Sequence, residues 1–230
     1  MKISIQKTDE IKSYELSDGL NFLKALFQIK ESQDNSLTFS SGCKSGVCGA
    51  CAMMLDGKEV LACQTSLSSS DVFLEPLRYH EVQRDLKVNH QSIHKKLQMA
   101  KSWLNTPQKA TITQNDVELT KVESDCILCH SCYSACPVLA VNENFLGPFV
   151  LSRVYRYSLD KREEDIKSSI DLIQLHGIWD CTLCGECTVA CPQNIDPKMN
   201  ILALRSNSAM LGYSDPNMMT MSFDFFRKRS

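Results

Sequence analysis

Near the start of the chain, the hydrophobic pattern changes from a period of two to a helical period. Two runs rich in β-formers lie within residues 2–16, on either side of a charged turn, and this arrangement predicts a β-hairpin. Apolar residues then recur at helical spacing over residues 20–27, and Asp18 precedes them as a candidate N-cap. The pattern therefore predicts a hairpin followed by a helix.

A second hairpin and a further strand are predicted over residues 52–74. The runs at residues 52–55 and 59–62 flank Asp56-Gly57, a dipeptide that favours the type I′ turn of a two-residue hairpin loop. Residues 72–74 form another short apolar run with a β-branched residue. This order of elements resembles the β-grasp fold of plant-type ferredoxins.

The later part of the chain has a mainly helical pattern. Apolar periodicity or capping residues predict helices over residues 92–103, 148–157, 163–175 and 197–206. The segment Asn105-Thr106-Pro107 interrupts this pattern, because proline disfavours helix at the residue before it. We place a domain boundary there, with domains over residues 1–105 and 106–230. The predicted fold class is α+β, an N-terminal β-grasp domain followed by an all-α domain.

Composition and sequence signals argue against three classes: nucleic-acid-binding proteins, proteins with a signal peptide and membrane-spanning proteins. Hydrophobic residues make up 43% and charged residues 23% of the chain, which is ordinary for a globular protein. The formal net charge of −2 argues against nucleic acid as a partner, because nucleic-acid-binding domains are strongly basic. Residues 1–10 lack the apolar stretch of a signal peptide, and no segment is apolar enough to span a membrane. We therefore expect a reducing compartment, where clustered cysteines usually bind metals.

Cysteine spacing gives the most specific signal. The chain has twelve cysteines in three groups of four: Cys43, Cys48, Cys51 and Cys63; Cys126, Cys129, Cys132 and Cys136; Cys181, Cys184, Cys187 and Cys191. The first group has the C-x4-C-x2-C spacing of plant-type [2Fe–2S] proteins, and its loop also contains Gly42, Gly46 and Gly49. The other two groups both read C-x2-C-x2-C-x3-C-P, the spacing of bacterial ferredoxins with two clusters. The sequence thus predicts three iron–sulfur centres.

The repeated run also predicts how the ligands are shared. In the bacterial pattern the fourth cysteine of each run binds the other cluster, and we expect it to open a helix that points away from its own loop. One predicted set is Cys126, Cys129, Cys132 and Cys191, and the other is Cys136, Cys181, Cys184 and Cys187. Zinc is the less favoured alternative, since a zinc ribbon needs two C-x2-C pairs rather than three successive x2 steps.

Several segments resemble the iron–sulfur subunit of succinate dehydrogenase and fumarate reductase. The resemblance is carried by SGCKSGVCGAC at residues 41–51, FLGP at 145–148, RVYRY at 153–157 and CPQNIDP at 191–197, and spans residues 1–210. It implies that single electrons pass through the three clusters between an FAD-containing partner subunit and quinone at a membrane-anchor subunit. It also implies a peripheral membrane location, for which we expect the cytoplasmic face.

Other interpretations of the same motifs stay open. The clusters could serve another flavin dehydrogenase, with a heterodisulfide-reductase-like acceptor, or belong to a structural or sensory protein. The chain lacks the G-x-G-x-x-G dinucleotide fingerprint, and all its cysteines belong to the three groups, so no catalytic residue is assigned.

The chain departs from familiar members of the family at two places. Cys184 stands where those members have a non-ligand residue and a [3Fe–4S] cluster, so we expect [4Fe–4S], with [3Fe–4S] as the alternative. Val141 and Thr182 stand where many succinate dehydrogenases have a Trp and a His near quinone. Arg205 matches a basic residue of the family, and a quinone-side site is predicted from Pro137, Thr182 and Arg205.

Residues outside the cysteine groups give weaker signals. His90 and His94 are spaced to clasp a metal on one helix face, but a solvated face is the favoured interpretation. For His130, which lies between two cysteines, a packing or surface role is favoured. The apolar and basic residues at 223–229 are interpreted as a locally packed or frayed terminus, with docking to a membrane subunit or anionic lipid as the alternative.

Overall fold

A computed structural model describes residues 1–16, 21–67 and 70–217, in which both strands and helices are present. The strands are β1 (Lys2–Gln6), β2 (Ile11–Glu15), β3 (Ala52–Leu55), β4 (Lys58–Leu61), β5 (Val72–Glu75), β6 (Glu81–Arg84) and β7 (Lys87–Asn89). The helices are α1 (Phe22–Ser32), α2 (Gln91–Met99), α3 (Gln114–Ser124), α4 (Ser131–Ser134), α5 (Pro148–Ser158), α6 (Ile166–Asp171), α7 (Glu186–Val189) and α8 (Pro197–Met210). Two short 3₁₀ turns, Pro137–Ala140 and Ile178–Asp180, complete these elements.

The chain divides into two compact units, each built from three separate segments. The first unit contains residues 1–94, 125–136 and 186–195. The second unit contains residues 95–124 and 137–185 and the chain from residue 196 onward. The four cysteines at 126–136 therefore all belong to the first unit, whereas the run at 181–191 has two cysteines in each unit. The boundary predicted after residue 105 stays a prediction.

The first unit is built on a five-stranded sheet with the order β2-β1-β5-β3-β4. β1 and β5 are parallel, and the other neighbouring pairs are antiparallel. The hairpin predicted within residues 2–16 and the one predicted around Asp56-Gly57 are both confirmed. Asp56 and Gly57 have φ angles of +49° and +78°, the sign that a type I′ turn requires at both central positions.

Helix α1 contributes its apolar face to the core of this unit. Phe22, Leu26 and Ile29 are fully buried and belong to the same hydrophobic cluster as the buried sheet residues. The helix is capped by Asn21, whose side chain accepts a hydrogen bond from the backbone N–H of Leu23 at 3.1 Å. The N-cap proposed at Asp18 lies outside the described residues.

The second unit is helical in its described part. α5 and α8 pack against each other, and both contain fully buried apolar residues, such as Val150 in α5 and Leu204 in α8. α8 begins after Asp196, whose side chain accepts a hydrogen bond from the backbone N–H of Met199 at 3.0 Å. The predicted helices at 148–157 and 197–206 are thereby confirmed.

Two of the predicted helices are shorter than expected. The helix predicted over residues 163–175 begins only after Asp165, whose side chain caps it, and ends at Asp171. The helix predicted over residues 92–103 ends at Met99, and Lys101 beyond it has a φ of +44°, which a right-handed helix does not allow.

Candidate metal centres

The first cysteine loop surrounds its sulfur atoms with backbone N–H groups. The backbone N–H of Cys43 donates to Sγ of Cys48 at 3.3 Å. The backbone N–H groups of Ser45 and Val47 donate to Sγ of Cys43 at 3.3 and 3.4 Å. Hydrogen bonds from the side chain and backbone of Ser45, followed by that of Val47, lower the pKa of Cys43 from 9.0 to about 6. This end of the loop favours a negatively charged sulfur.

The other two cysteines of this group come from the β3–β4 hairpin. Cys51 directly precedes β3 and Cys63 follows β4, and both are buried in the core of the first unit. Burial raises the pKa of the Cys51 thiol to about 11. The side-chain amide of Gln64 donates to Sγ of Cys63 at 3.7 Å. The two ends of the hairpin therefore supply buried cysteines, whereas Cys43 and Cys48 are exposed.

Two glycines of this loop stand where a larger residue does not fit. A Cβ atom on Gly42 would lie 2.8 Å from Sγ of Cys48. Gly49 has a φ of +70°, and a Cβ atom there would lie 2.7 Å from the carbonyl oxygen of Ile127. Four cysteines, amide donors and a backbone this close to sulfur form a donor set that suits a [2Fe–2S] cluster.

The second group brings together cysteines that are distant in sequence. Burial raises the pKa of Cys132 well above 9.0, and the charges of Cys129, Cys126, Cys187 and Cys191 add to this. Cys129 also interacts electrostatically with Cys191. Cys191 therefore lies near Cys129 and Cys132, and Cys187 is also close to Cys132, so the crossed ligand set stays a prediction. All of these residues belong to the first unit.

The prediction that the fourth cysteine of each run opens a helix is wrong for Cys191, whereas Cys136 directly precedes a 3₁₀ helix. Cys136 and Cys191 follow the short helices α4 and α7. Cys136 is then followed by a 3₁₀ turn, and Cys191 by a non-helical stretch that lasts until α8 begins. The proline after each cysteine lacks a backbone N–H, which does not favour the continuation of the helix.

The two later runs have the same local backbone conformation. Leu128 and Leu183, which precede the second cysteine of each run, have φ angles of +56° and +57°. The residue after that cysteine also has a positive φ in both runs, +64° at His130 and +91° at Gly185. Because few residues adopt this left-handed region, the repeat shows that Cys129 and Cys184 are held by equivalent loops.

Four further cysteines make up the set predicted for the third cluster. Cys136 and Cys187 are buried in the first unit, and Cys181 and Cys184 belong to the second. Sγ of Cys181 accepts a hydrogen bond from the backbone N–H of Leu183 at 3.4 Å. All twelve cysteines lie within the described ranges, and none of them forms a disulfide.

Arg205, predicted on the quinone side, binds the backbone at the start of the third run. Its Nε donates to the carbonyl oxygen of Ile178 at 2.9 Å, and its Nη2 donates to that of Cys181 at 2.6 Å. The guanidinium also lies over the ring of Trp179, 5.5 Å from its centroid. Pro137 and Thr182, the other predicted residues, belong to the same unit and are exposed. Arg205 therefore has a positioning role that the sequence did not indicate.

Three histidines of the first unit form a group that the sequence did not reveal. We call His80, His90 and His130 the histidine cluster. Its ring centroids are 4.4 Å apart for His90 and His130, and 5.4 and 5.6 Å from His80 to these two. Burial lowers the pKa of His80 to about 4 and that of His130 to about 2.

The sequence interpretation of these histidines was partly right. A packing role for His130 is confirmed, since its side chain is buried. The prediction that His90 and His94 lie on a solvated helix face is wrong for His90, which is half-buried against His130. His94 is exposed. His80 had no signal, because it comes from a loop that no periodicity connects to the other two.

No helix within the described residues is long and apolar enough to cross a membrane. The terminal segment at residues 223–229 lies outside those residues, so both interpretations of it stay predictions.

Two parts of the chain match families of iron–sulfur domains. Residues 4–95 match the 2Fe-2S iron-sulfur cluster binding domain, and residues 123–195 match the 4Fe-4S dicluster domain. Together with the mixed fold and the three cysteine loops, these matches define an iron–sulfur protein that carries both cluster types.

Curated relatives identify the family. The chain is 35% identical to the fumarate reductase iron-sulfur subunit of Mycobacterium tuberculosis over 206 residues, which cover 84% of this chain and 83% of the relative. It is 32% identical to the 8-methylmenaquinol:fumarate reductase iron-sulfur subunit of Wolinella succinogenes over 228 residues, or 89% and 72% of the two chains. The chain belongs to the family of succinate dehydrogenase and fumarate reductase iron–sulfur subunits, which are parts of oxidoreductase complexes.

A solved structure has the same fold. A chain of the Mycobacterium smegmatis Sdh1 complex in the apo form superposes with a TM-score of 0.82, covering 94% of this chain and 98% of that one. The two sequences are 24% identical, so this likeness concerns the fold alone.

Proposed function

We propose that the chain relays single electrons between an FAD-containing subunit and quinone at a membrane-associated subunit, in a complex that interconverts succinate and fumarate. The observation that carries this proposal is the presence of three complete four-cysteine groups in a chain of this family. Both curated relatives described above are fumarate reductase subunits, and the name of one includes a quinol. The location proposed is peripheral, on the cytoplasmic face of the membrane.

The first two cysteine sets are proposed to hold a [2Fe–2S] and a [4Fe–4S] cluster. The ligands would be Cys43, Cys48, Cys51 and Cys63 for the first cluster, and Cys126, Cys129, Cys132 and Cys191 for the second. When bound, such clusters accept and release one electron at a time. The amide donors of Ser45 and Val47 would stabilise negative charge on Cys43 in either oxidation state. The sheet and helix of the first unit support a β-grasp domain of the plant-type ferredoxin kind.

The third set is proposed to hold a [4Fe–4S] rather than a [3Fe–4S] cluster. The ligands would be Cys136, Cys181, Cys184 and Cys187. The supporting observation is that Leu183, which precedes Cys184, has the same left-handed backbone conformation as Leu128, which precedes Cys129. A loop that presents four thiolates should retain a fourth iron, and the extra iron and thiolate would change the potential of this centre.

The quinone side is proposed near Pro137, Thr182 and Arg205. Arg205 would act by holding the carbonyl groups of Ile178 and Cys181 in place. It would thereby also fix the position of Thr182, which follows Cys181. The exposed Val141 and Thr182 would face the acceptor, without the Trp and His that many succinate dehydrogenases have there.

The proposal is tested by adding succinate to the complex, purified anaerobically with its partner subunits in the oxidised state. We expect the visible absorption of the clusters to bleach, and added fumarate to restore it. Bleaching by dithionite but not by succinate would overturn the succinate–fumarate assignment. It would instead favour the alternative, in which the same clusters serve another flavin dehydrogenase or a heterodisulfide-reductase-like acceptor.

A further inference from the structure

The histidine cluster joins three segments of the first unit that are distant in sequence. His80 lies in the loop between β5 and β6, His90 directly precedes α2, and His130 lies between Cys129 and Cys132. One ring nitrogen of each histidine lies within 4.8 Å of one from each of the others. A modest approach of these nitrogens would bring them to the separation of nitrogen ligands around one metal ion.

The hydrogen bonds of His80 define which of its nitrogens can bind a metal. Its Nδ1 lies 2.6 Å from the carbonyl oxygen of Arg78. A carbonyl oxygen only accepts, so Nδ1 carries the proton and Nε2 presents a lone pair. Nε2 is buried and has no hydrogen-bond partner among the described residues. A backbone carbonyl that orients one nitrogen while the other has a lone pair to offer is the usual arrangement of a metal-binding histidine.

The other two histidines already face each other through their nitrogens. Nδ1 of His90 and Nδ1 of His130 are 2.8 Å apart, so one of them carries a proton and the other accepts it. Around tetrahedral zinc, with Zn–N bonds of about 2.0–2.1 Å, two ligand nitrogens are about 3.4 Å apart. The two rings would have to move slightly apart, and the shared proton would have to move from Nδ1 to Nε2 of the ring that carries it. Both Nδ1 atoms would then have a lone pair to offer to one ion.

We propose that His80, His90 and His130 bind one zinc ion, with water as the fourth ligand. Three imidazoles and an open position form a donor set that zinc accepts readily. The ion would tie the loop that presents Cys129 and Cys132 to the β5–β6 loop and to the start of α2. This site is separate from the cysteine sets and does not depend on the partner, substrate or direction of electron transfer.

The test measures zinc and iron in the complete complex after equilibration with buffered micromolar zinc. Elemental analysis gives the metal content per chain, and X-ray absorption at the zinc edge gives the ligands. We expect one zinc per chain with nitrogen or oxygen neighbours at about 2.0 Å. His90→Gln and His80→Gln should each lower the zinc affinity about tenfold or more, with the iron content unchanged. His176→Gln, a histidine of the second unit, should retain the zinc.

Two results would overturn the proposal. One is a complex with full iron content that binds no zinc under these conditions. The other is zinc with sulfur neighbours at about 2.3 Å that is unaffected by His90→Gln, which would mean that zinc has replaced iron at cysteines. If His90→Gln impairs folding, two measurements remain. X-ray absorption at the zinc edge of the wild-type complex distinguishes nitrogen from sulfur ligands, and the zinc content of the His80→Gln variant shows whether a histidine of the cluster is needed.

Discussion

Leu128 and Leu183 occupy the same position in two different cysteine runs and have φ angles of +56° and +57°. A left-handed conformation at a non-glycine residue costs about 1–3 kcal/mol, so it persists only where the surrounding structure requires it. Each leucine precedes the second cysteine of its run. The two loops thus contain the same strained backbone conformation directly before Cys129 and Cys184.

The first prediction concerns Cys184. Replacing it with serine should convert the third centre from [4Fe–4S] to [3Fe–4S], with a loss of about one iron per chain, since a hydroxyl is a much poorer iron ligand than a thiolate. Iron analysis and electron paramagnetic resonance of the oxidised variant would show this change. If Cys184→Ser kept its full iron content and its spectrum, Cys184 would not be a ligand. Thr182→Ser, two residues earlier, serves as the matched control.

The second prediction separates backbone strain from steric contact at two glycines. Gly49 and Gly57 have similar φ angles of +70° and +78°, but a Cβ on Gly57 would meet only the end of the Arg78 side chain, at 3.9 Å. Gly57→Ala should therefore lose about 1 kcal/mol of stability. Gly49→Ala should lose more, because its Cβ would also clash with the backbone at Ile127.

Thermal unfolding and the intensity of the [2Fe–2S] signal measure this difference. Gly49→Ala should lower both clearly, and Gly57→Ala should leave the signal unchanged. Equal effects of the two substitutions would show that close approach of the backbone at Gly49 is unimportant.

The third prediction concerns Arg205. Lysine keeps the charge but lacks the planar fork that reaches the carbonyl oxygens of both Ile178 and Cys181. Arg205→Lys should therefore loosen the start of the third run, so that its cluster is lost faster in air. Arg84→Lys, a substitution in the exposed strand β6, should leave this rate unchanged. A normal rate of cluster loss combined with a raised KM for quinol would instead place Arg205 at the quinone.

The fourth prediction concerns a buried carboxylate in the first unit. Oδ2 of Asp34 accepts hydrogen bonds from Nζ of Lys7 at 2.7 Å and from the hydroxyl of Tyr14 at 2.6 Å. Hydrogen bonds from Lys7, Ser36 and Tyr14 hold the pKa of Asp34 far below its usual value of 3.8. Asp34→Asn should therefore cost about 3 kcal/mol at pH 7, because it leaves the Lys7 charge without its partner.

The pH dependence of this effect follows from the sign of the shift. A lowered folded-state pKa gives stability that is complete above the unfolded-state pKa and is lost as the pH falls below it. The difference in melting temperature between wild type and Asp34→Asn should thus stay constant from pH 8 to about pH 5. If the difference in melting temperature became smaller between pH 8 and pH 5, the pKa of Asp34 would not be lowered as described. The exposed Asp9→Asn should have little effect at any pH.

Local sequence signals predicted the elements that local chemistry determines. Asp56-Gly57 defines its hairpin because both residues accept a positive φ. The cysteine spacings likewise identified the loops, because four ligands on short segments leave few alternatives.

Elements that depend on distant contacts were missed. Helix α3 has exposed apolar residues, such as Leu119, and lacks a buried stripe, so periodicity gave no signal. The β6–β7 hairpin turns at Asp85, whose side chain accepts a hydrogen bond from the backbone N–H of Thr38. The histidine cluster was missed for the same reason, since tertiary structure brings its three segments together.

Electron paramagnetic resonance on the natively purified complex tests the central claim most directly, first as oxidised and then after anaerobic addition of succinate. We expect an oxidised sample without a three-iron signal, followed by a [2Fe–2S] signal that succinate alone produces. A strong three-iron signal in the oxidised sample would contradict the role of Cys184. Clusters that dithionite reduces but succinate does not would contradict the proposed place of the chain in succinate–fumarate electron transfer.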